Sequence, residues 1–159
     1  MLARSACGAD SRGILHGMTG AYRTYRPVTA DDLERLEARI ASVLGPAIRW
    51  QLWLFFPPSA FGGEGLSMPC DDLPRRPPAD AADVLHTMID GVARLTAHTE
   101  LILALERRGS PDPGRLDRDW MRVVADACDR AGVRLRSVLI SHTRGVREHA
   151  PPEPTLAEA

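Results

Sequence analysis

Apolar residues recur along this chain with two alternating periods, and the order of those periods predicts a layered α/β domain. Leu33, Leu36, Ile40, Val43 and Leu44 repeat at helical spacing behind Thr29, Asp31 and Asp32, which suit a helix N-terminus. Gly45-Pro46 ends that run. Ile48 to Phe56 is apolar and aromatic on both faces, the pattern of a central strand covered on both sides. Pro57-Pro58 and Gly62-Gly63 mark a turn, and Gly65 to Pro69 is short enough to be the returning strand of a hairpin.

Asp71 to Ala79 holds Pro74, Pro77 and Pro78 around Arg75-Arg76 and predicts an extended connection over the surface. From Asp80 a helix is expected, with Val84, Leu85, Met88, Ile89, Val92 and Leu95 on one face. Leu101 to Leu105 reads as a buried strand and Glu106 to Gly114 as a loop. Trp120, Val123, Val124, Ala127, Cys128 and Ala131 then form the core face of a helix stopped by Gly132. Val133 to Ser141 is the last long strand, with Val146 in a short return.

The expected fold class is therefore α/β (α+β), a mixed β-sheet between helices, with Trp53, Phe55, Leu101, Leu103, Val124 and Leu139 in one core. Residues 1–26 predict a flexible arm in which Met18 is an alternative start, 27–150 a single domain, and 151–159 a disordered tail.

Composition narrows the function classes. The chain has 159 residues, 44% hydrophobic and 26% charged, ordinary for one folded domain. Its 20 basic residues are all arginine and are balanced by 21 acids. Nucleic acid is therefore not the expected partner, because a general coating surface needs excess positive charge. The arginine-only usage fits GC-rich bacterial coding and says little about chemistry. Cys7, Cys70 and Cys128 are too scattered for a disulfide framework or a zinc site, which favours a reducing, cytoplasmic compartment. No apolar run approaches the ~20 residues that span a bilayer, so no membrane partner is expected.

The five histidines, His16, His86, His98, His142 and His149, include no pair at helical metal-ligand spacing. Cys70 beside Asp71 is either a nucleophile or a half-buried strand-end residue, and the second is favoured. No phosphate-binding Walker loop or GxSxG elbow occurs. Arg75-Arg76 and Arg107-Arg108 are short basic pairs flanked by acids, as on a solvated surface.

Two segments carry a family resemblance. Ser110 to Asp117 (SPDPGRLD) resembles the D-P-x-P-S-x-x-D segment of RadC-type JAB/MPN domains, and Ala131 to Glu148 (AGVRLRSVLISHTRGVRE) resembles their closing strands. The likeness covers about a third of the chain and implies the three-layer, cytidine-deaminase-like JAB/MPN architecture. Carried across residue by residue, the two motif histidines fall at Ala104 and Glu106, the serine at Gly114 and the aspartate at Asp117. The later D-H pair falls at Ser137-Val138, and no histidine lies between His98 and His142.

A zinc hydrolase needs three protein ligands and an open position, which this set does not supply. The resemblance thus implies a non-catalytic binding or regulatory module with no cofactor, a pseudoenzyme. Its candidate surface comprises Glu106, Arg107, Arg108, Ser110 and Asp117 with Arg75 and Arg76. Its partner is an unidentified protein or small ligand, or a second copy in a homodimer. The alternative is a hydrolase or DNA-processing enzyme with a relocated acidic site at Asp117, Asp119, Glu106 and His142. Without a metal, Asp117 is expected in the first turn of the helix, where a carboxylate interacts favourably with the helix dipole and free N–H groups, worth roughly 0.3–1 kcal/mol.

Overall fold

The computed structural model describes residues 30–58 and 65–153. The N-terminal arm, Met18, the Thr29 cap and the Gly62-Gly63 turn lie outside the described residues, as do residues 154–159. The elements in chain order are α1 (Ala30–Leu44), β1 (Gln51–Phe56), β2 (Leu66–Cys70), α2 (Ala81–Thr96), β3 (Glu100–Glu106), α3 (Arg115–Ala131), β4 (Arg134–His142) and β5 (Gly145–His149). They form an α+β fold with one mixed sheet of order β2-β1-β3-β4-β5.

β3 and β4 run parallel, while β1 pairs antiparallel with both β2 and β3, and β5 antiparallel with β4. The parallel pair requires a crossover, and α3 supplies it. Central position explains the apolarity of β3, whose residues from Leu101 to Leu105 are all buried.

The single core expected from the sequence is instead two layers, because the sheet separates them. Leu52, Leu54, Phe56, Leu101, Leu103, Leu105 and Val138 meet Leu85 and Ile89 of α2 and Trp120, Met121 and Val124 of α3. Phe55, Ile102, Ala104 and Leu139 pack with Ile40 of α1 on the opposite face, where Trp53, Leu44 and Val146 complete the layer. Strand alternation therefore sends Leu101 and Leu103 to the layer that holds Val124 of α3, and Trp53, Phe55 and Leu139 to the other.

Three further expectations are corrected. Val84 and Leu95 are 59% and 87% exposed, since they sit at the margins of the α2 stripe rather than in it. β1 starts at Gln51, because Ile48 is still in the connection after α1, where its N–H donates to the Glu106 side chain. The expected tail begins with Pro151 and Pro152 half-buried, lining a cleft with Arg122, Cys128 and Leu135.

The pairing register brings several connections to one end of the sheet. Glu106 lies opposite Gln51 and beside Ser141, and Leu52 lies opposite Cys70. The loop entering β1, the strap of residues 71–80, the loop of residues 107–114 and the β4–β5 turn thus share the carboxyl end of the parallel strands. Open α/β sheets place ligand crevices at such an end.

Candidate functional site

The site is built on the end of β3. Residues alternate across the sheet, so Leu105 and Arg107 face the α2/α3 layer and Glu106 faces the α1 layer. This separates the Glu106 and Asp117 carboxylates. Glu106 is buried and accepts from the Ile48 N–H at 3.1 Å and from the Trp53 indole N–H at 3.2 Å. Both oxygens are engaged on the α1 side.

On the other side, Arg107 and Asp117 form a buried ion pair at 2.8 Å. Asp117 Oδ2 accepts from Arg107 Nε at 3.0 Å, from Arg107 Nη2 at 2.8 Å and from the Gly114 N–H at 2.7 Å. The same guanidinium donates to the carbonyls of Ser110 and Asp112, so one side chain closes the whole loop. Asp117 is the third helical residue of α3, and its bond to Gly114 N–H is half of a capping box, since glycine has no side chain to return the second half.

Burial by itself pushes the Asp117 carboxyl up. The Arg107 hydrogen bonds, the Gly114 N–H and the charges of Arg107 and Arg75 outweigh that and hold it below the usual carboxylate range. The expected contact with a free N–H at the helix start is made to Gly114, but the main partner of Asp117 is a buried guanidinium, which the sequence does not predict.

The strap carries the remaining residues. Arg75 lies 4.4 Å over the Trp50 ring, and its carbonyl accepts from the Trp120 indole at 3.0 Å. The Trp50 indole donates to the Leu73 carbonyl at 2.7 Å. A cleft of about 670 Å³ opens beside it, lined by Arg49, Trp50, Asp71, Asp72, Leu73 and Pro74. Arg76, Arg108 and Ser110 are exposed.

The structure thus brings Arg107, Ser110 and Asp117 together, sets Arg75 within electrostatic reach, and turns Glu106 away. Asp119 pairs with Arg122 on an open face of α3. The acids of the alternative relocated site therefore do not converge, and among the described residues no group of three His, Cys, Asp or Glu side chains is placed to hold a metal. Zinc does not fit this residue set. Burial, with the neighbouring Asp71 charge, raises the Cys70 thiol to about 11, so it stays protonated at neutral pH and is a poor nucleophile.

Sequence reasoning misses the three tryptophans that pin the site, as it does Asp112, Thr143, Arg144 and Arg147 around His142. Trp50 and Trp53 read as strand core. No helix among the described residues is long and apolar enough to cross a membrane. Comparison of the chain with protein-family models, with curated proteins and with solved structures found no significant match.

Proposed function

We propose that the chain is a non-catalytic binding or regulatory module of the RadC-type JAB/MPN kind, with its ligand surface at the carboxyl end of β3 and β4. One observation carries this: Asp117, which the resemblance aligns with the motif aspartate, is ion-paired with the buried Arg107 guanidinium. Asp117 Oδ2 already accepts three N–H donors, and Arg107 is itself held by two loop carbonyls. A zinc ion would have to displace a buried, hydrogen-bonded arginine and would find neither motif histidine, since Ala104 and Glu106 stand there. What the ion pair supplies is rigidity, for it fixes the loop that presents Arg108, Ser110 and Asp112. Rigid loops on a folded scaffold are what binding surfaces are made from.

The test is elemental analysis and isopeptide and peptide hydrolysis assays on the purified chain. We expect no stoichiometric zinc and no turnover. About one zinc per chain, lost on Asp117→Asn, would overturn this reading in favour of a metal-dependent hydrolase.

A further inference from the structure

The rim above the buried ion pair carries charge that the anchoring of the loop does not use. The β3–α3 loop is laced to the β4–β5 turn: the Gly109 N–H donates to Thr143 Oγ1 at 2.8 Å, and the Thr143 N–H reaches the Gly109 carbonyl at 3.4 Å. Arg108 and Arg144 are the chain neighbours of these two residues, so the lacing sets two exposed arginines on adjoining points of one rim. Arg147 of β5 joins them, bound to Asp112 at 2.9 Å. Asp112 offsets Arg147, and Asp117 offsets Arg107. Among the described residues, no acid is paired with Arg108 or Arg144.

His142 closes β4 at the start of the same turn. Its Nδ1 accepts the Arg144 backbone N–H at 3.3 Å, which assigns the proton of the neutral ring to Nε2 and makes that atom a donor. The charges that act on it are those of Arg144 in its own turn, Arg147 of β5, and Arg107 and Asp112 of the loop. Partial burial, then Arg147, Arg107 and Arg144, hold its pKa below the ordinary value, with Asp112 opposing. Three guanidinium groups thus act on it against one carboxylate.

We propose that His142, Arg144, Arg108 and Arg147 form a binding site for a small phosphate-bearing ligand. The proposal rests on the binding-module reading and names its ligand class. Several donors and two uncompensated guanidinium groups suit a compact polyoxygen anion, whose oxygens accept several charge-assisted bonds at once. A nucleic-acid backbone is the poorer fit: it needs a basic track, and this cluster is small, carries Asp112 within it and belongs to a chain of net charge -1. The place, at the carboxyl ends of two parallel strands, is where such sheets take ligands.

The test is NMR of the histidine ring signals in the full chain, with His142 assigned through His142→Gln. Inorganic phosphate, sulfate, adenosine monophosphate and a single-stranded oligonucleotide serve as probes. Phosphate and sulfate are expected to shift the His142 signals and to raise its titration midpoint by about one pH unit. Sulfate does not titrate in that range, so its arm isolates the histidine's own proton. Arg144→Ala should weaken phosphate binding at least about tenfold, equivalent to ~1.4 kcal/mol, and Arg144→Lys less. Arg94→Ala, the same charge loss at the other end of the sheet, should leave it unchanged.

No shift with either anion, or a shift that survives Arg144→Ala, overturns the site. So does an oligonucleotide that binds far more tightly than the mononucleotide with a steep salt dependence, which would mean a nucleic-acid surface. Zinc uptake at Asp117 overturns the non-catalytic reading alone, whereas a silent His142 in zinc-free protein overturns the anion site alone.

Discussion

The loop between β3 and α3 makes two ion pairs of nearly equal length in opposite surroundings. Arg107–Asp117 measures 2.8 Å with side chains 7% and 4% exposed, and Arg147–Asp112 measures 2.9 Å with side chains 53% and 71% exposed. Distance alone gives the two the same Coulomb attraction. The medium separates them, because water screens the outer pair and is excluded from the inner one. The inner guanidinium also donates on both sides, to the carboxylate and to two loop carbonyls, while the outer pair rests on a single contact. One loop is therefore anchored at its root and open at its rim, as a presenting surface requires.

The sharpest break of this comparison is Arg107→Ala. It leaves Asp117 buried without its counter-charge and frees two loop carbonyls, and should cost about 3–5 kcal/mol in urea denaturation. Asp117→Asn should fall in the same range, well above the value for a helix dipole alone. Little loss in either variant would mean that the inner pair behaves like a surface pair. The joint replacement of Arg107→Met with Asp117→Leu should recover most but not all of the loss. The remainder measures the loop carbonyls of Ser110 and Asp112 together with the Gly114 N–H, which loses its acceptor.

Acid offers a second way in. The folded Asp117 carboxyl sits below its ordinary value of 3.8, so its contribution is fully present above that value and is lost as pH falls through the folded one. The parent should therefore lose stability through that window, and Asp117→Asn should show a shallower fall. Parallel stability profiles for the two proteins would contradict the lowered carboxyl.

Much of this scaffold is legible in the sequence, and the reason is residue-specific. Leu101 to Leu105 has no polar position, so only a strand covered on both faces accommodates it. Trp120, Val124, Ala127 and Ala131 keep helical spacing up to Gly132, whose backbone takes the left-handed conformation at the helix end. The division of the core into two layers is less visible, because a strand apolar on both faces does not say which helix covers which face. The site is half legible: Asp117 and Arg107 both stand out, but nothing in Glu106-Arg107-Arg108 marks the middle residue as buried. The available signal is phase, since Arg107 continues the alternation of Leu101, Leu103 and Leu105 into the α2/α3 layer. The contact of Arg75 with Trp50 spans two connections and has no local sequence signature.

On the α1 side, the comparison is sharpened by Trp53→Phe. The phenyl ring keeps an aromatic face beside Phe55, whose centroid is 5.9 Å from the indole, and removes the pyrrole half of the indole together with the N–H that Glu106 Oε2 accepts. A buried carboxylate oxygen then lacks its donor, and the loss should be about 1–3 kcal/mol. An unchanged denaturation midpoint would show that Glu106 is satisfied without Trp53.

The smallest effect belongs to the rim. Arg147→Ala removes the cationic partner of Asp112, but both side chains are more than half exposed, and water replaces the lost contact. The expected loss is about 0–1 kcal/mol, and it should shrink further as salt rises from about 0.05 to about 0.5 M and the Debye length shortens. A double-mutant cycle of Arg147→Ala with Asp112→Ala should return a coupling within that same range, about a third or less of the Arg107 effect. A coupling near that of the inner pair would mean that Asp112 and Arg147 are shielded from water, and that the rim is as closed as the root.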